Sequence, residues 1–336
     1  MSDDLNAADS RERNRNLMVL GAIVGVVYGL AVRLAPHVFP HVFDTYTTFV
    51  MTAGFTCFLP FAMGFTAVLL AEIGNRQRIW AWFYLPLVPL VGTLLGVWLL
   101  LLEGLPCIIM FIPLGMVLSV LGGVAGGLAG RSLHSRWSRS SSLACVMVLP
   151  FLVAPWEKQV LWQENFRQVE NTIDIHAPAE VIWRNIERVP AIHSDELPVS
   201  WTRRIGFPDP VEATLSYEGV GGVRNATFAG GVLFLETVDV WEPQQRLAFS
   251  IHAENVPSTV LDEHVRIGGP FFDVLRGEYR LEPLGNGMVR LHLSSRQRIS
   301  TDFNWYAHLW TDAVMSDLQQ RILLVIRHRC ESTSGA

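Results

Sequence analysis

Residues 106–130 read PCIIMFIPLGMVLSVLGGVAGGLAG, a run of 25 residues without a charged side chain. As a helix this run would be about 37 Å long, which exceeds the roughly 30 Å of a bilayer's hydrocarbon core. Three comparable apolar runs precede it, at residues 17–35, 47–71 and 80–102. None of them has the polar stripe, recurring about every 3.6 residues, that a soluble helix would carry. The pattern therefore predicts four membrane-spanning helices.

A fifth candidate span covers residues 138–156. Its uncharged core, Leu143–Ala154, is only 12 residues long, and this length also suits a re-entrant or interfacial segment. A full span is favoured because the core has no polar face with which to lie on a protein surface. We therefore expect a bundle of five spans within residues 17–156, which follows a polar N-terminal tail, 1–16.

Charge is distributed unevenly along the 336 residues. Residues 17–130 hold only six charged side chains, whereas residues 131–336 hold 44. From Glu157 onward the chain has 17 basic and 24 acidic residues, a balance that argues against a nucleic-acid partner. The first half is therefore suited to a bilayer and the second half to water.

Arginines in the short loops predict the orientation of the bundle, because basic loops stay on the cytoplasmic side. The arginines expected on the cytoplasmic side are Arg11, Arg13, Arg15, Arg76, Arg78, Arg131, Arg136 and Arg139. Of the arginines around the predicted spans, only Arg33 falls on the opposite side. The sequence thus predicts an integral protein of a bacterial inner (plasma) membrane, with a cytoplasmic N-terminus. An odd number of spans would make the C-terminal half extracytoplasmic.

Glycines recur at helical spacing in the first and fourth spans, and such rows let helices approach closely. One row is Gly21, Gly25 and Gly29, and the other runs from Gly122 to Gly130. We interpret both rows as helix packing within one bundle, with the seam of a homo-oligomer as the alternative. The span centres contain no ionisable residue, which argues against a proton or ion pathway.

The second half shows the pattern of a mixed α+β domain. Val169–Ile175 predicts a strand, Ala179–Arg188 predicts a short helix, and Asn304–Arg329 predicts a long terminal helix. On the terminal helix, Leu309, Ala313, Ile322 and Ile326 are assigned to one apolar stripe. Seven more strands are predicted between the helices: Ala213–Tyr217, Val223–Phe228, Val232–Trp241, Arg246–Ala253, Leu261–Ile267, Arg276–Glu282 and Met288–Gln297.

Two segments carry a family resemblance. Residues 173–183, IDIHAPAEVIW, and residues 234–249, FLETVDVWEPQQRLAF, resemble the polyketide cyclase/dehydrase and lipid-transfer (START-like, SRPBCC) superfamily. The resemblance implies a helix-grip domain at 168–330, in which an antiparallel sheet wraps the long C-terminal helix. A linker, 157–167, would precede this domain and a tail, 331–336, would follow it. The resemblance also implies a cavity for a hydrophobic small molecule or lipid between the concave face of the sheet and the terminal helix.

Strand alternation predicts which side chains face that cavity, since residues two apart share a face. It places Glu236 and Glu263 inward, as the polar members of otherwise apolar faces. Together they suit acid/base chemistry if burial raises one pKa, but the favoured interpretation is structural: either pairs with Arg224 or lies in water at the cavity mouth. The candidate ligand-binding residues are Phe234, Glu236, Phe249, Glu263, Tyr279, Leu291, Leu309 and Ala313.

We predict neither a metal site nor a cofactor. Adjacent strand residues point to opposite faces, so Asp262, Glu263 and His264 would not converge on one ion. The four cysteines form no spaced motif. The favoured interpretation is a membrane-anchored protein that binds a hydrophobic ligand or lipid. One alternative is a cyclase/dehydrase-type enzyme acting on an aromatic or polyketide-like substrate, and another is a ligand sensor or scaffold coupled to the membrane bundle.

Overall fold

The chain forms two compact units, Met1–Trp162 and Gln163–Ala336. The computed structural model describes residues 2–39, 50–74, 76–133, 136–160, 164–257 and 263–334. Each unit is described by itself below.

The N-terminal unit is helical throughout most of its described length. Its helices are α1 (Ser2–Val38), α2 (Leu59–Gly74), α3 (Ala81–Tyr84), α4 (Leu87–Leu99), α5 (Leu105–Ser132) and α6 (Arg136–Val160), and a π-helical turn, Gly54–Phe58, leads into α2. Four stretches are long and apolar enough to cross a membrane: Arg15–Val38, Gly54–Ile73, Ala81–Leu99 and Leu105–Ser132. The apolar part of α6, Trp137–Val153, is shorter than these four. The fifth span therefore stays a prediction.

Glycines bring α2 and α5 into direct backbone contact. A Cβ atom on Gly64 would lie 1.9 Å from the carbonyl oxygen of Ser119, and one on Gly122 would lie 2.0 Å from that of Phe61. In the same way, a Cβ on Gly21 in α1 would lie 2.9 Å from the carbonyl oxygen of Ala67. The predicted glycine rows thus pack helices against one another within the unit. This agrees with the interpretation that they serve helix packing within one bundle.

Charged side chains gather near the ends of these helices. Close to the C-terminal ends of α2 and α5, Glu72 accepts a hydrogen bond of 2.7 Å from the Trp82 indole and pairs with Arg131 at 3.4 Å. Near the C-terminal ends of α1 and α4, the Arg33 guanidinium pairs with Glu103 at 2.6 Å.

The C-terminal unit contains one seven-stranded antiparallel sheet in the order β1-β7-β6-β5-β4-β3-β2. Its elements are β1 (Asn165–Ile175), α7 (Ala179–Glu187), α8 (Trp201–Arg204), β2 (Pro210–Leu215), β3 (Val223–Phe228), β4 (Val232–Glu242), β5 (Arg246–Asn255), β6 (Phe272–Gly285), β7 (Met288–Ile299) and α9 (Asn304–Ser334). The C-terminal half of α9 contributes Leu323, Ile326 and Cys330 to the main core, beside Ile182 of α7 and Leu291 of β7. A sheet that holds a long terminal helix in this way is the helix-grip arrangement.

One predicted strand is absent from the sheet. Where Leu261–Ile267 was expected to be extended, Glu263–Val265 forms a 3-10 turn, and residues 261 and 262 lie outside the described residues. The physical reason is that β5 pairs directly with β6, from Arg246 opposite Arg280 to Ser250 opposite Arg276. The intervening segment is their connection, and in its described part the pairing is limited to one isolated bridge between Ile267 and Phe272.

The expected linker and tails are also largely regular structure. Helix α6 continues to Val160 and β1 begins at Asn165, so most of 157–167 is helix or strand. Helix α1 already begins at Ser2, and α9 continues to Ser334. Hydrophobic periodicity ends where a helix or strand becomes exposed, but the hydrogen-bonded backbone continues beyond that point.

Candidate functional site

Arg224 and Glu236 face each other across β3 and β4, where the register makes them direct partners. Both point to the concave face, because they alternate with outward residues as the period of two requires. The guanidinium Nη1 of Arg224 donates a hydrogen bond to Oε2 of Glu236. Only 2% of the Arg224 side chain is exposed, compared with 12% for Glu236. Of the alternatives left open for Glu236, the structure therefore has the ion pair with Arg224, and Glu236 is its accessible member.

The same guanidinium also closes the end of α7. Its Nε donates to the carbonyl of Glu187 at 3.2 Å, and Nη2 donates to the carbonyl of Ile186 at 3.0 Å. Carbonyls in the last turn of a helix lack partners within the helix, so these bonds satisfy them. The guanidinium also lies 4.7 Å from the centre of the Phe249 ring, a distance typical of a cation–π contact. Arg224 thus joins the sheet to α7.

Burial changes the acidity of the groups around this pair. Burial raises the pKa of Glu236 above its usual value, and the nearby Arg224 charge opposes part of that rise. Burial also raises the pKa of Tyr279 to about 12. The Tyr279 ring lies 6.2 Å from that of Phe249, so the phenol and the ion pair share one environment. Such an environment strengthens hydrogen bonds to any group that enters it.

A row of cross-strand partners crosses the concave face at this position. Leu215 lies opposite Arg224, Arg224 opposite Glu236, and Glu236 opposite Ile251. Within this row, Leu215, Glu236 and Ile251 keep partial solvent exposure. Toward β7 the concave face is closed instead, and Leu291 is fully buried in the main core. The accessible part of the concave face therefore lies on β2–β5, with the ion pair in its middle.

Five of the candidate residues lie on the inner side of the sheet. Phe249, Tyr279 and Leu291 belong to the main core cluster, and Glu236 borders it. Phe234 is also buried but belongs to a second cluster, with Ala226 as its cross-strand neighbour. Their role in binding a ligand stays a prediction.

Three other candidates are not placed there. Glu263 lies in the 3-10 turn, so the strand alternation used to aim it inward does not apply, and its side chain is outside the described part of the chain. The turn also removes the strand-based argument against a metal site at residues 262–264. Leu309 is 65% exposed, and Ala313 is exposed one turn later. The stripe was wrong because Ala313 and Ile322 are nine residues apart, which places them on opposite sides of a helix with about 3.6 residues per turn.

Helix α9 instead presents polar groups to β1 and β7 in its first half. Gln319 donates from Nε2 to Ser295 Oγ at 2.9 Å and accepts from Asn171 at 2.7 Å. Further along β7, Gln297 donates to Asp312 at 2.9 Å. This seam was not predicted from the sequence, although Ser295 and Gln297 continue the inward alternation of β7. The available signal was the presence of polar residues at inward-facing strand positions, which indicates polar contacts with the packed helix.

A second polar network holds the segment between α7 and β2 against α9. Asp317 accepts hydrogen bonds from the hydroxyls of Ser200 and Thr202 at the start of α8. One turn further along α9, Arg321 donates to Asp209 at 2.6 Å. These contacts position the loop that borders the accessible part of the concave face.

Comparisons with known proteins match the C-terminal half through structure alone. Neither a protein-family model nor a curated protein matches the chain. Among solved structures, the Zhui aromatase/cyclase from a Streptomyces species is 18% identical and covers 51% of this chain and 96% of its own, with a TM-score of 0.34. A norcoclaurine synthase from Thalictrum flavum is 16% identical and covers 50% of this chain and 98% of its own, with a TM-score of 0.31. The strand order and terminal helix of the C-terminal unit confirm the helix-grip fold expected from the resemblance.

Proposed function

We propose that this chain is a membrane-anchored binding protein whose helix-grip unit holds a hydrophobic or amphipathic small molecule, with a membrane lipid as one such ligand. The observation that carries the proposal is the accessible row on the concave face, in which the Arg224–Glu236 pair stands between the apolar side chains of Leu215 and Ile251. Ligand sites in proteins are commonly apolar pockets with a few fixed polar groups, and this row has that composition.

The ion pair would orient the ligand. Arg224 is held by two carbonyls and by Glu236, so its position is already fixed before a ligand arrives. Glu236 would accept a hydrogen bond from a hydroxyl or amide of the ligand, while the ligand's apolar part packs against Ile251 and Phe234. A fixed polar group loses little entropy on binding, which favours affinity.

The apolar helices would keep this site close to lipid. Four stretches have the length and composition of membrane spans. A tethered site meets membrane-dissolved molecules at a high effective concentration without a separate search through water. We retain the sequence-based prediction that the unit is extracytoplasmic in a bacterial inner membrane.

Native mass spectrometry of the full-length protein in detergent tests this proposal. We expect a bound molecule on the wild-type chain and its loss in Ile251→Trp, because the larger ring would occupy the accessible space. The matched control is His252→Trp, since this neighbouring residue is exposed on the other face of β5. Equal ligand occupancy in all three proteins would refute the site.

A second candidate is an enzyme of the cyclase/dehydrase type. The observation in its favour is the raised pKa of Glu236, which would let the carboxyl donate a proton at a higher pH than an ordinary glutamate. In that case Glu236→Gln should abolish turnover of an aromatic polyketide substrate and still bind it. If the full-length protein binds such a substrate without converting it, this candidate is excluded.

A further inference from the structure

Four aromatic side chains form a continuous row on the surface of the C-terminal unit. The ring of Trp201 in α8 lies 6.4 Å from that of Trp310 in α9, and Trp310 lies 6.5 Å from Tyr306. Tyr306 lies 5.7 Å from Trp305, which completes the row. The row, Trp201–Trp310–Tyr306–Trp305, therefore connects two helices along one side of the unit.

Large apolar side chains around this row are exposed. Trp305 is 63% exposed, and Leu309 lies four residues later on the same face of α9. Val199, just before α8, is exposed to 80%. A contiguous exposed patch of this kind is uncommon on a soluble monomer and marks an interaction surface.

Two arginines stand beside the patch on the same short helix. Arg203 and Arg204 are both exposed, and Arg203 also pairs with Asp209 at 3.0 Å. Exposed cations next to tryptophan and tyrosine are typical of surfaces that rest at the level of lipid headgroups. Aromatic rings with one polar atom favour that layer, and arginine attracts anionic phosphates.

We infer that this patch docks onto the surface of a phospholipid bilayer, with Trp305 and Leu309 entering the interfacial layer and Arg204 near the phosphates. The inference rests on the proposed membrane anchoring and adds a second contact with lipid, outside the spans. Chain length supports it, because only residues 161–164 separate the end of α6 from the start of β1. Four residues extend at most about 14 Å, so the length of the chain limits how far β1 can begin from the last residue of α6.

Tryptophan quenching in lipid nanodiscs tests the docking. Full-length protein is placed in discs of phosphatidylcholine and phosphatidylglycerol, with either ordinary or brominated acyl chains. The emission of one tryptophan is obtained by subtracting the spectrum of its Trp→Phe variant from that of the wild type. We expect bromination to reduce the Trp305 difference spectrum by at least half.

Two further tryptophans provide matched controls. Trp98 lies on a candidate span and is exposed, so its difference spectrum should also be quenched, whereas Trp183 is buried in the core of the C-terminal unit and should not respond. Quenching of Trp98 without quenching of Trp305 would overturn the docking surface and leave the anchoring intact. Absence of quenching for both would overturn the anchoring as well. A dimer in solution with Trp305 unquenched would assign the patch to a second copy of the chain instead.

Discussion

Replacing Arg224 with Met should destabilise the C-terminal unit strongly, because it leaves Glu236 buried without its partner. Removing one member of a buried ion pair costs about 3–5 kcal/mol in general. Glu236 keeps 12% of its side chain exposed, which lowers the cost, whereas the carbonyls of Ile186 and Glu187 also lose their donors, which raises it. We therefore expect a loss of about 4 kcal/mol in the free energy of unfolding.

The loss should depend on pH in a defined direction. Arg224 is the group that opposes the burial-induced rise in the pKa of Glu236, so that pKa rises further in Arg224→Met. Well below pH 4.5, the carboxyl is protonated in both the folded and the unfolded state, and the penalty for the buried charge is small. As pH rises above the ordinary value of 4.5, the unfolded state releases its proton first, and the folded state loses stability.

Pulse proteolysis of the full-length protein in detergent over a urea series measures this free energy at pH 4.5 and at pH 8. The double variant Arg224→Met/Glu236→Gln should be more stable than Arg224→Met alone at pH 8, since no buried charge remains. The control is Arg246→Met, which removes a pair of 2.9 Å with Glu278 on the outer face and should cost less than about 1 kcal/mol. A loss for Arg224→Met that matches this control, or that does not change with pH, would refute the reasoning.

Three other changes test further features of the molecule. The guanidinium of Arg329 donates to both carboxylate oxygens of Glu196 and lowers the pKa of that carboxyl to about 2. Glu196 should therefore contribute about 2 kcal/mol to the free energy of unfolding above pH 4.5, and this contribution should be lost as pH falls toward 2. In the same urea assay, Glu196→Gln should be destabilising at pH 7 but nearly neutral at pH 2. Gly122→Ala should lower the melting temperature of the helical unit in detergent, because its Cβ would lie 2.0 Å from a backbone oxygen, whereas Gly96→Ala meets only a leucine side chain at 3.0 Å and should be tolerated. Reporter fusions at residues 136 and 330 should report the cytoplasm and the outside respectively, and a cytoplasmic signal from both would show that α6 does not cross the membrane.

The helical unit was largely predictable because its signal is local. A run of about 20 apolar residues predicts a membrane-spanning helix, and this prediction needs no information from any other part of the chain. The four candidate spans accordingly agree in position with the predicted runs, and each glycine row already indicated close helix packing. Which backbone each glycine meets, such as Gly64 against Ser119, depends on how the helices pair and is not visible in their spacing.

Strand alternation was informative only as far as the strands stay regular. In β4 the register shifts between Val238 and Val240, because Asp239 has no direct partner in β5. Such a bulge reverses the facing of every later residue. Trp241, opposite Leu247, therefore takes the inward position that unbroken alternation from Glu236 would assign to Val240, and its ring lies 5.2 Å from that of Trp183.

By itself the sequence determined the long apolar helices, most of the strands and the inward side of Glu236, because each depends on neighbours within one helix or strand. Tertiary structure alone decided that Arg224 lies directly opposite Glu236, that α9 turns Leu309 outward, and that residues 263–265 form a turn. These outcomes depend on pairing between segments distant in the chain. The free energy that selects one register or helix face comes from contacts that form only when the whole unit is folded.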